Sequence, residues 1–399
     1  MRHNLALLAI ARACSAAGTW MAPLALTFLL LDRHYQLVVV GVVLAARSIP
    51  SALLSLIGGL AADRFGARRV MIGADLLRFA AHGVLFVGLV VGTVSIVEFV
   101  VAELVIGLGS AFFAPSLTGL IPQIVEDEKI AKANALRGMI YSVAMIVGPI
   151  AAGFLISVWS PTVVIGVDAL AYLGSAGALA LLIVVKAPTR VQRSVALDIK
   201  RGLGAIRERP WLWQTILVYM VNGALVYSAL MLLGPAIAKA DLHGPAAWGL
   251  ILGGLGVGTA LGSTWAMRLK SLQRPILMVI GLGLLWVIPM ASLALVLPLP
   301  AIVIAAVAGG VGWGLVNPIW FTVLQKQIPA DILSQVASWD TMATEAASLV
   351  GYVLVGAMAS LLAPTVVIAI CAAVWTGICI VGLVLQNGQN TFANKAFVL

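Results

Sequence analysis

The chain has 399 residues, of which 62% are hydrophobic and only 10% charged, and its mean hydropathy is +1.10. Soluble domains use about 45–50% apolar residues, so this composition excludes an ordinary soluble enzyme or binding module. A formal net charge of +9 would point to nucleic acid in a soluble protein, but in a membrane protein it follows from basic residues gathered on the cytoplasmic side.

Apolar runs of about 20 residues or more, enough to cross roughly 30 Å of hydrocarbon, recur along the whole chain. They cover 5–31, 36–62, 70–92, 96–117, 134–160, 162–185, 212–238, 247–267, 275–297, 299–325, 333–362 and 364–386. The pattern predicts an all-α integral membrane protein with about twelve transmembrane helices. The first run follows a single basic residue, Arg2, and is too long for a signal-peptide core, so it is expected to persist as the first helix. Cys14, Cys371 and Cys379 all lie inside apolar runs, and no disulfide, metal site or cofactor is expected.

Between the second and third runs lies Gly59-Leu60-Ala61-Ala62-Asp63-Arg64-Phe65-Gly66-Ala67-Arg68-Arg69, a local concentration of charge in a chain with very little. Further bases cluster at Lys129, Lys132 and Arg137, from Lys186 to Arg209, and at Arg268, Lys270 and Arg274. These positions alternate with apolar runs so that nearly all fall on one side, which places both termini in the cytoplasm.

The chain also matches itself. One register lays Gly148, Gly153 and Ser157 on Gly351, Gly356 and Ser360, and Ser160-Pro161-Thr162-Val163-Val164-Ile165 on Ala363-Pro364-Thr365-Val366-Val367-Ile368. In the same register Pro115 meets Pro318 and Gly59 meets Gly262. This indicates duplication into two pseudo-symmetric six-helix halves, 1–185 and 212–399, an arrangement that puts a substrate site near mid-membrane and alternates its access. The segment 186–211 joins them as a cytoplasmic linker. Within it Ile199, Leu203 and Ile206 recur at helical spacing opposite the bases, which reads as an interfacial amphipathic helix.

The Gly59-x-x-x-Asp63-Arg64-x-Gly66-x-Arg68-Arg69 pattern resembles the loop signature of the major facilitator superfamily. Gly109-Ser110-Ala111-Phe112-Phe113-Ala114-Pro115, Ala133-Asn134-Ala135 and Arg207-Glu208-Arg209-Pro210-Trp211-Leu212-Trp213 are similar to its branch of macrolide-efflux and enterobactin-exporter proteins. Gly148-Pro149-Ile150-Ala151-Ala152-Gly153 resembles the Gly-Pro-x-x-Gly-Gly element of proton-coupled drug antiporters, with Ala152 in place of one glycine. The resemblance implies a major facilitator fold and an export function. It also implies a conformational latch at Gly59, Asp63, Arg64, Gly66, Arg68 and Arg69, in which Asp63 meets the positive end of another helix. Asp75 and Arg78, three residues apart, extend that network. The repeat partner of the loop has Ala266 where Asp63 stands, so topology alone does not account for the acid. Asp63→Asn is therefore expected to impair transport while leaving membrane insertion intact; vesicle transport alongside a surface-labelling topology assay checks both halves.

Ionisable residues inside apolar runs are functional candidates, since an unpaired buried charge is costly. Glu103 is the first proton-coupling candidate, with Arg47 as its natural counter-ion, and Glu345 is the second. Asp168 is assigned a structural role, and Arg12 is placed to snorkel to the cytoplasmic interface. Trp20, Tyr141, Tyr219, Asn222, Tyr227, Trp313, Asn317 and Trp320 form an aromatic set with few polar groups, suited to lipophilic or amphipathic molecules. No phosphate-binding Gly-x-x-x-x-Gly-Lys-Ser/Thr loop is present, so an ion gradient rather than nucleotide hydrolysis is the expected energy source and the protein is not expected to be an enzyme. The expected partners are protons, a small-molecule substrate and the lipid bilayer, with no nucleic acid, for a protein working as a monomer. The reading is a proton-coupled exporter of drug-like molecules in a bacterial inner membrane. Its rivals are dedicated export of a siderophore, lipid or metabolite and, more remotely, a non-transporting sensor or scaffold.

Overall fold

A computed structural model describes residues 2–126, 130–184, 195–269, 271–329, 332–388 and 397–398, without the side chains of some of these, Asp63 among them. The helices are α1 (Arg2–Asp32), α2 (Leu37–Phe65), α3 (Ala67–Val91), α4 (Ile96–Ile124), α5 (Ile130–Val158), α6 (Pro161–Ala180), α7 (Val195–Arg207), α8 (Pro210–Val221), α9 (Ser228–Asp241), α10 (Pro245–Ala266), α11 (Pro275–Gly283), α12 (Val287–Ala294), α13 (Leu299–Gln327), α14 (Leu333–Ala359) and α15 (Pro364–Gly388). Among the described residues twelve spans are long and apolar enough to cross a membrane, and each answers to one predicted run. A two-residue antiparallel ladder, Ser271–Leu272 with Phe397–Val398, is the one strand pairing among them. Of the predicted linker, 186–194 lies outside the described residues, and α7 follows it.

Two spans are not simple α-helices, a detail that hydropathy does not reveal. The span Pro210–Asp241 contains a π-helical segment, Asn222–Tyr227, between α8 and α9. There the Ser228 N–H and hydroxyl both reach the Gly223 carbonyl, the hydroxyl at 2.9 Å, and the hydroxyl also lies 3.0 Å from the Ser348 carbonyl. A widened turn is tolerated because these donors satisfy the carbonyls it frees. The span Pro275–Ala294 tightens to a 3-10 turn at Leu284–Trp286. Pro289 supplies no N–H to the Leu285 carbonyl four residues earlier, which disrupts regular α-geometry just there.

Two compact units arise, Met1–Tyr35 with Val42–Val195 and Gln36–Gly41 with Ala196–Leu399. In the first, α3 buries Met71, Asp75, Arg78, His82, Leu85 and Leu89, a stripe at three- and four-residue spacing. The matching stripe of α6 is Pro161, Ile165, Asp168, Tyr172, Ser175 and Leu179. Spacing of this kind keeps one helix face against a partner along its whole length. One end of the unit is closed by a cluster containing Leu8, Met71, Leu117, Leu120, Ile121, Ile124 and Leu179. Asn4 stitches that end: its Nδ2 donates to the Ile124 carbonyl at 3.2 Å and the Ile183 carbonyl at 2.8 Å.

In the second unit α10 and α13 cross backbone to backbone. A Cβ at Gly258 would overlap the Val307 carbonyl oxygen, and one at Gly310 the Leu255 carbonyl oxygen. The Ser263 hydroxyl donates to the Gly314 carbonyl at 3.2 Å. Small residues allow this approach, and in lipid such packing is the main attraction between helices.

Candidate functional site: a buried charge network

The α3 and α6 stripes carry an unusual load. On α3, Asp75, Arg78 and His82 are 0%, 2% and 0% exposed; on α6, Asp168 is 1% exposed, and Glu103 of α4 is 3% exposed. Asp75 accepts from Arg78 at 2.6 Å and from the Ser175 hydroxyl at 2.6 Å. Two helical turns further along α3, His82 Nδ1 lies 2.5 Å from Asp168 Oδ2, while its Nε2 lies 3.5 Å from Glu103 Oε1. Asp75 pairs with Ser175 and His82 with Asp168, seven residues on in one helix and seven back in the other. The two helices are antiparallel, so equal intervals of about 10 Å keep both polar rungs in register.

Between the rungs, the Arg78 guanidinium lies over Phe113 at 4.5 Å and over Tyr172 at 4.6 Å from the ring centroids. This sandwich holds a planar cation in an apolar setting by its faces and its fork together. Asp168 reaches its place because α1 has glycine opposite: a Cβ at Gly18 would overlap Asp168 Oδ1. That oxygen and the Tyr172 hydroxyl are both buried without a hydrogen-bond partner. The α2 backbone at the Arg47 carbonyl packs on Gly107, one turn past Glu103.

Asp75 and Arg78 cancel, and Asp168 and Glu103 both face His82. His82 lies between the two carboxylates with one ring nitrogen toward each, which is the geometry of a proton relay. Sequence reasoning singled out Glu103, gave Asp168 a structural role and missed His82. The available signal was spacing: His82 follows Asp75 by seven residues and Arg78 by four, on one helical face.

The loop residues have mixed fates. Gly66, at φ +90°, makes the one-residue turn between α2 and α3, a conformation glycine adopts without strain. Arg68 Nε donates to the Leu179 carbonyl at 2.8 Å and its terminal nitrogen to the Ala180 carbonyl, capping the end of α6. Arg64 lies over Phe65, Arg69 is exposed, and a Cβ at Gly59 would only touch Pro115. Asp75 and Arg78 belong to the interior network. The Asp63 side chain lies outside the described ones.

The aromatic set divides between the two units. Trp20 meets Tyr141, with ring centroids 5.9 Å apart, and Gly148 of α5 lets Trp20 approach. Pro149 and Gly153 are buried within the continuous α5. In the second unit the Tyr219 hydroxyl donates to the Val279 carbonyl at 3.1 Å, and Tyr227 packs on Tyr352 at 6.5 Å. Asn222 opens the π segment with its Nδ2 buried and unpartnered. Trp313 packs on Trp286, and Asn317 donates to the Trp313 carbonyl at 3.4 Å. Trp320 packs on Trp211 and donates to Asp340 at 2.8 Å. Glu345 sits half-buried on α14, one residue past Thr344, whose carbonyl faces Gly223 of the π segment.

Twelve membrane-length spans among the described residues, with charge buried inside, define a multi-pass membrane protein. The chain belongs to the Major Facilitator Superfamily, which it matches over residues 8–352. It is similar to macrolide efflux protein A of Streptococcus pyogenes, at 27% identity over 62% of this chain and 64% of that protein, just under two thirds of the relative's length. It is also similar to the multidrug efflux pump Tap of Mycolicibacterium fortuitum, at 26% identity over 90% of each. Among solved structures, the nucleoside transporter NupG superposes with a TM-score of 0.75 at 13% identity, covering 97% of this chain and 99% of that one, which shows the shared fold.

Proposed function

We propose that this protein is a secondary active exporter in the bacterial inner membrane, with both termini cytoplasmic, exchanging protons for lipophilic or amphipathic molecules by alternating access. The names of the efflux relatives support export. The observation that carries proton coupling is the His82 imidazole set between two buried carboxylates. Glu103, at the longer contact, is the exchanging end: it passes a proton to His82 Nε2 as His82 Nδ1 yields one to Asp168, and the reverse transfer resets the triad. The proton leaving His82 Nδ1 arrives on Asp168 Oδ2, the oxygen 2.5 Å away. Glu345 is the second carboxylate to which coupling is assigned if the triad fails.

The test is export in proteoliposomes with an imposed pH gradient. A macrolide and a lipophilic dye are expected to move against their own gradients only while the proton gradient stands, and to stop on adding a protonophore. Transport unaffected by the protonophore but dependent on sodium would replace the proton with sodium, and transport needing neither ion would overturn secondary active export.

A further inference from the structure

Two buried donors on α1 have no acceptor among the described residues: Arg12 Nε and Trp20 Nε1. Both side chains converge on one ring of α5. The Arg12 guanidinium lies 4.8 Å from the Tyr141 ring centroid, and the Trp20 ring lies 5.9 Å away at 58°. Tyr141 itself is 36% exposed. Arg137, one turn earlier on α5, donates to the Thr118 hydroxyl at 3.3 Å. Arg78 is neutralised by Asp75, whereas Arg12 and Arg137 have no carboxylate partner among the described residues.

A buried donor left unpaired costs about 1–3 kcal/mol, and more for a charged group. Snorkelling does not remove this cost, because Arg12 Nε is enclosed and its fork lies over an aromatic ring. The geometry suits a ligand that supplies what the protein lacks. A planar group stacks on Tyr141, and an oxyanion or a strongly accepting oxygen takes the Arg12 fork and the Trp20 N–H.

We propose that Arg12, Trp20 and Tyr141 recognise a planar or aromatic molecule bearing an anionic oxygen group such as a carboxylate, sulfonate or phenolate, with Arg137 adding positive field. The proposal rests on the exporter reading and adds an anionic class to its cargo. A cation would find no carboxylate here, and Glu103 is engaged by His82.

The test is equilibrium binding to the full chain in nanodiscs of zwitterionic lipid with no ion gradient, so a failure of coupling cannot masquerade as a failure of recognition. The probes are naphthalene-2-sulfonate and (2-naphthylmethyl)trimethylammonium, which share a ring and differ in charge. The wild type is expected to prefer the sulfonate. Arg12→Gln should weaken sulfonate binding at least about tenfold, the effect of losing one charge-assisted contact. Trp20→Phe, which keeps a ring and removes only the N–H, should weaken it by a smaller factor. Trimethylammonium binding should change by less than about twofold in both, within the scatter of a surface substitution. Size-exclusion profiles report folding, and Arg12→Lys serves as the milder variant if Arg12→Gln aggregates; it should weaken sulfonate binding by losing the planar fork. A wild type that prefers the cation or ignores both probes overturns the proposal, as do folded variants that bind the sulfonate like the wild type or lose both probes equally.

Discussion

In proteoliposomes driven by a pH gradient, Glu103→Gln is expected to lose at least about a hundredfold of uphill export, equivalent to about 2.7 kcal/mol, while still exchanging substrate down its own gradient. The amide keeps the size of the side chain and its place near His82 but cannot gain or lose a proton. The triad then has one carboxylate and one imidazole, and the relay ends at His82. His82→Gln should show the same loss of coupling with an added cost in stability, because it leaves Asp168 buried with neither oxygen satisfied. Removing one partner of a buried charged pair typically costs about 3–5 kcal/mol. Asp168→Asn separates these effects: the amide can still hydrogen-bond to His82, so the fold should survive while coupling falls. The measurement is initial export rate with the gradient imposed and with it collapsed. Unchanged gradient dependence in Glu103→Gln and Asp168→Asn would remove the triad from coupling and make Glu345→Gln the next variant to measure.

The largest structural effect is expected at the α10–α13 crossing. Gly310→Val would drive a branched side chain into the Leu255 carbonyl oxygen and the Thr259 backbone. No rotamer relieves a clash between Cβ and backbone, so the helices must separate. Overpacking typically costs about 1–3 kcal/mol where side chains can adjust, and a rigid backbone contact should reach or exceed the top of that range. The expected result is a lower apparent melting temperature in detergent and less folded protein. Gly281→Val is the control, since nothing lies within 4 Å of the added Cβ. Equal behaviour of the two variants would show that the crossing has more room than its geometry implies.

The spans were legible because the bilayer leaves few options. An apolar stretch of about 20 residues must satisfy its own backbone, and a helix does so without partners. The repeat was legible from residue identities, and Pro161 and Pro364 open α6 and α15 as its register requires. The Asp75–Arg78 pair was visible because both residues lie on one helix within a turn. Local exceptions were not visible. The π segment at Asn222–Tyr227 depends on a hydroxyl of α9 reaching a carbonyl of α14, and no window of sequence reports that.

By itself, then, the sequence determined the solvent, the number and order of the membrane spans, the family resemblance and which acids stand in apolar surroundings, because each of these is set by residues close together along the chain. Only the tertiary structure decided what those acids touch. His82 and Asp168 are 86 residues apart and meet because α3 and α6 run antiparallel with equal intervals between their polar rungs. Arg68 likewise takes its carbonyls from the far end of α6, more than a hundred positions away. Hydrogen bonds act over about 3 Å, so which helix supplies the partner is a property of packing and register rather than of composition.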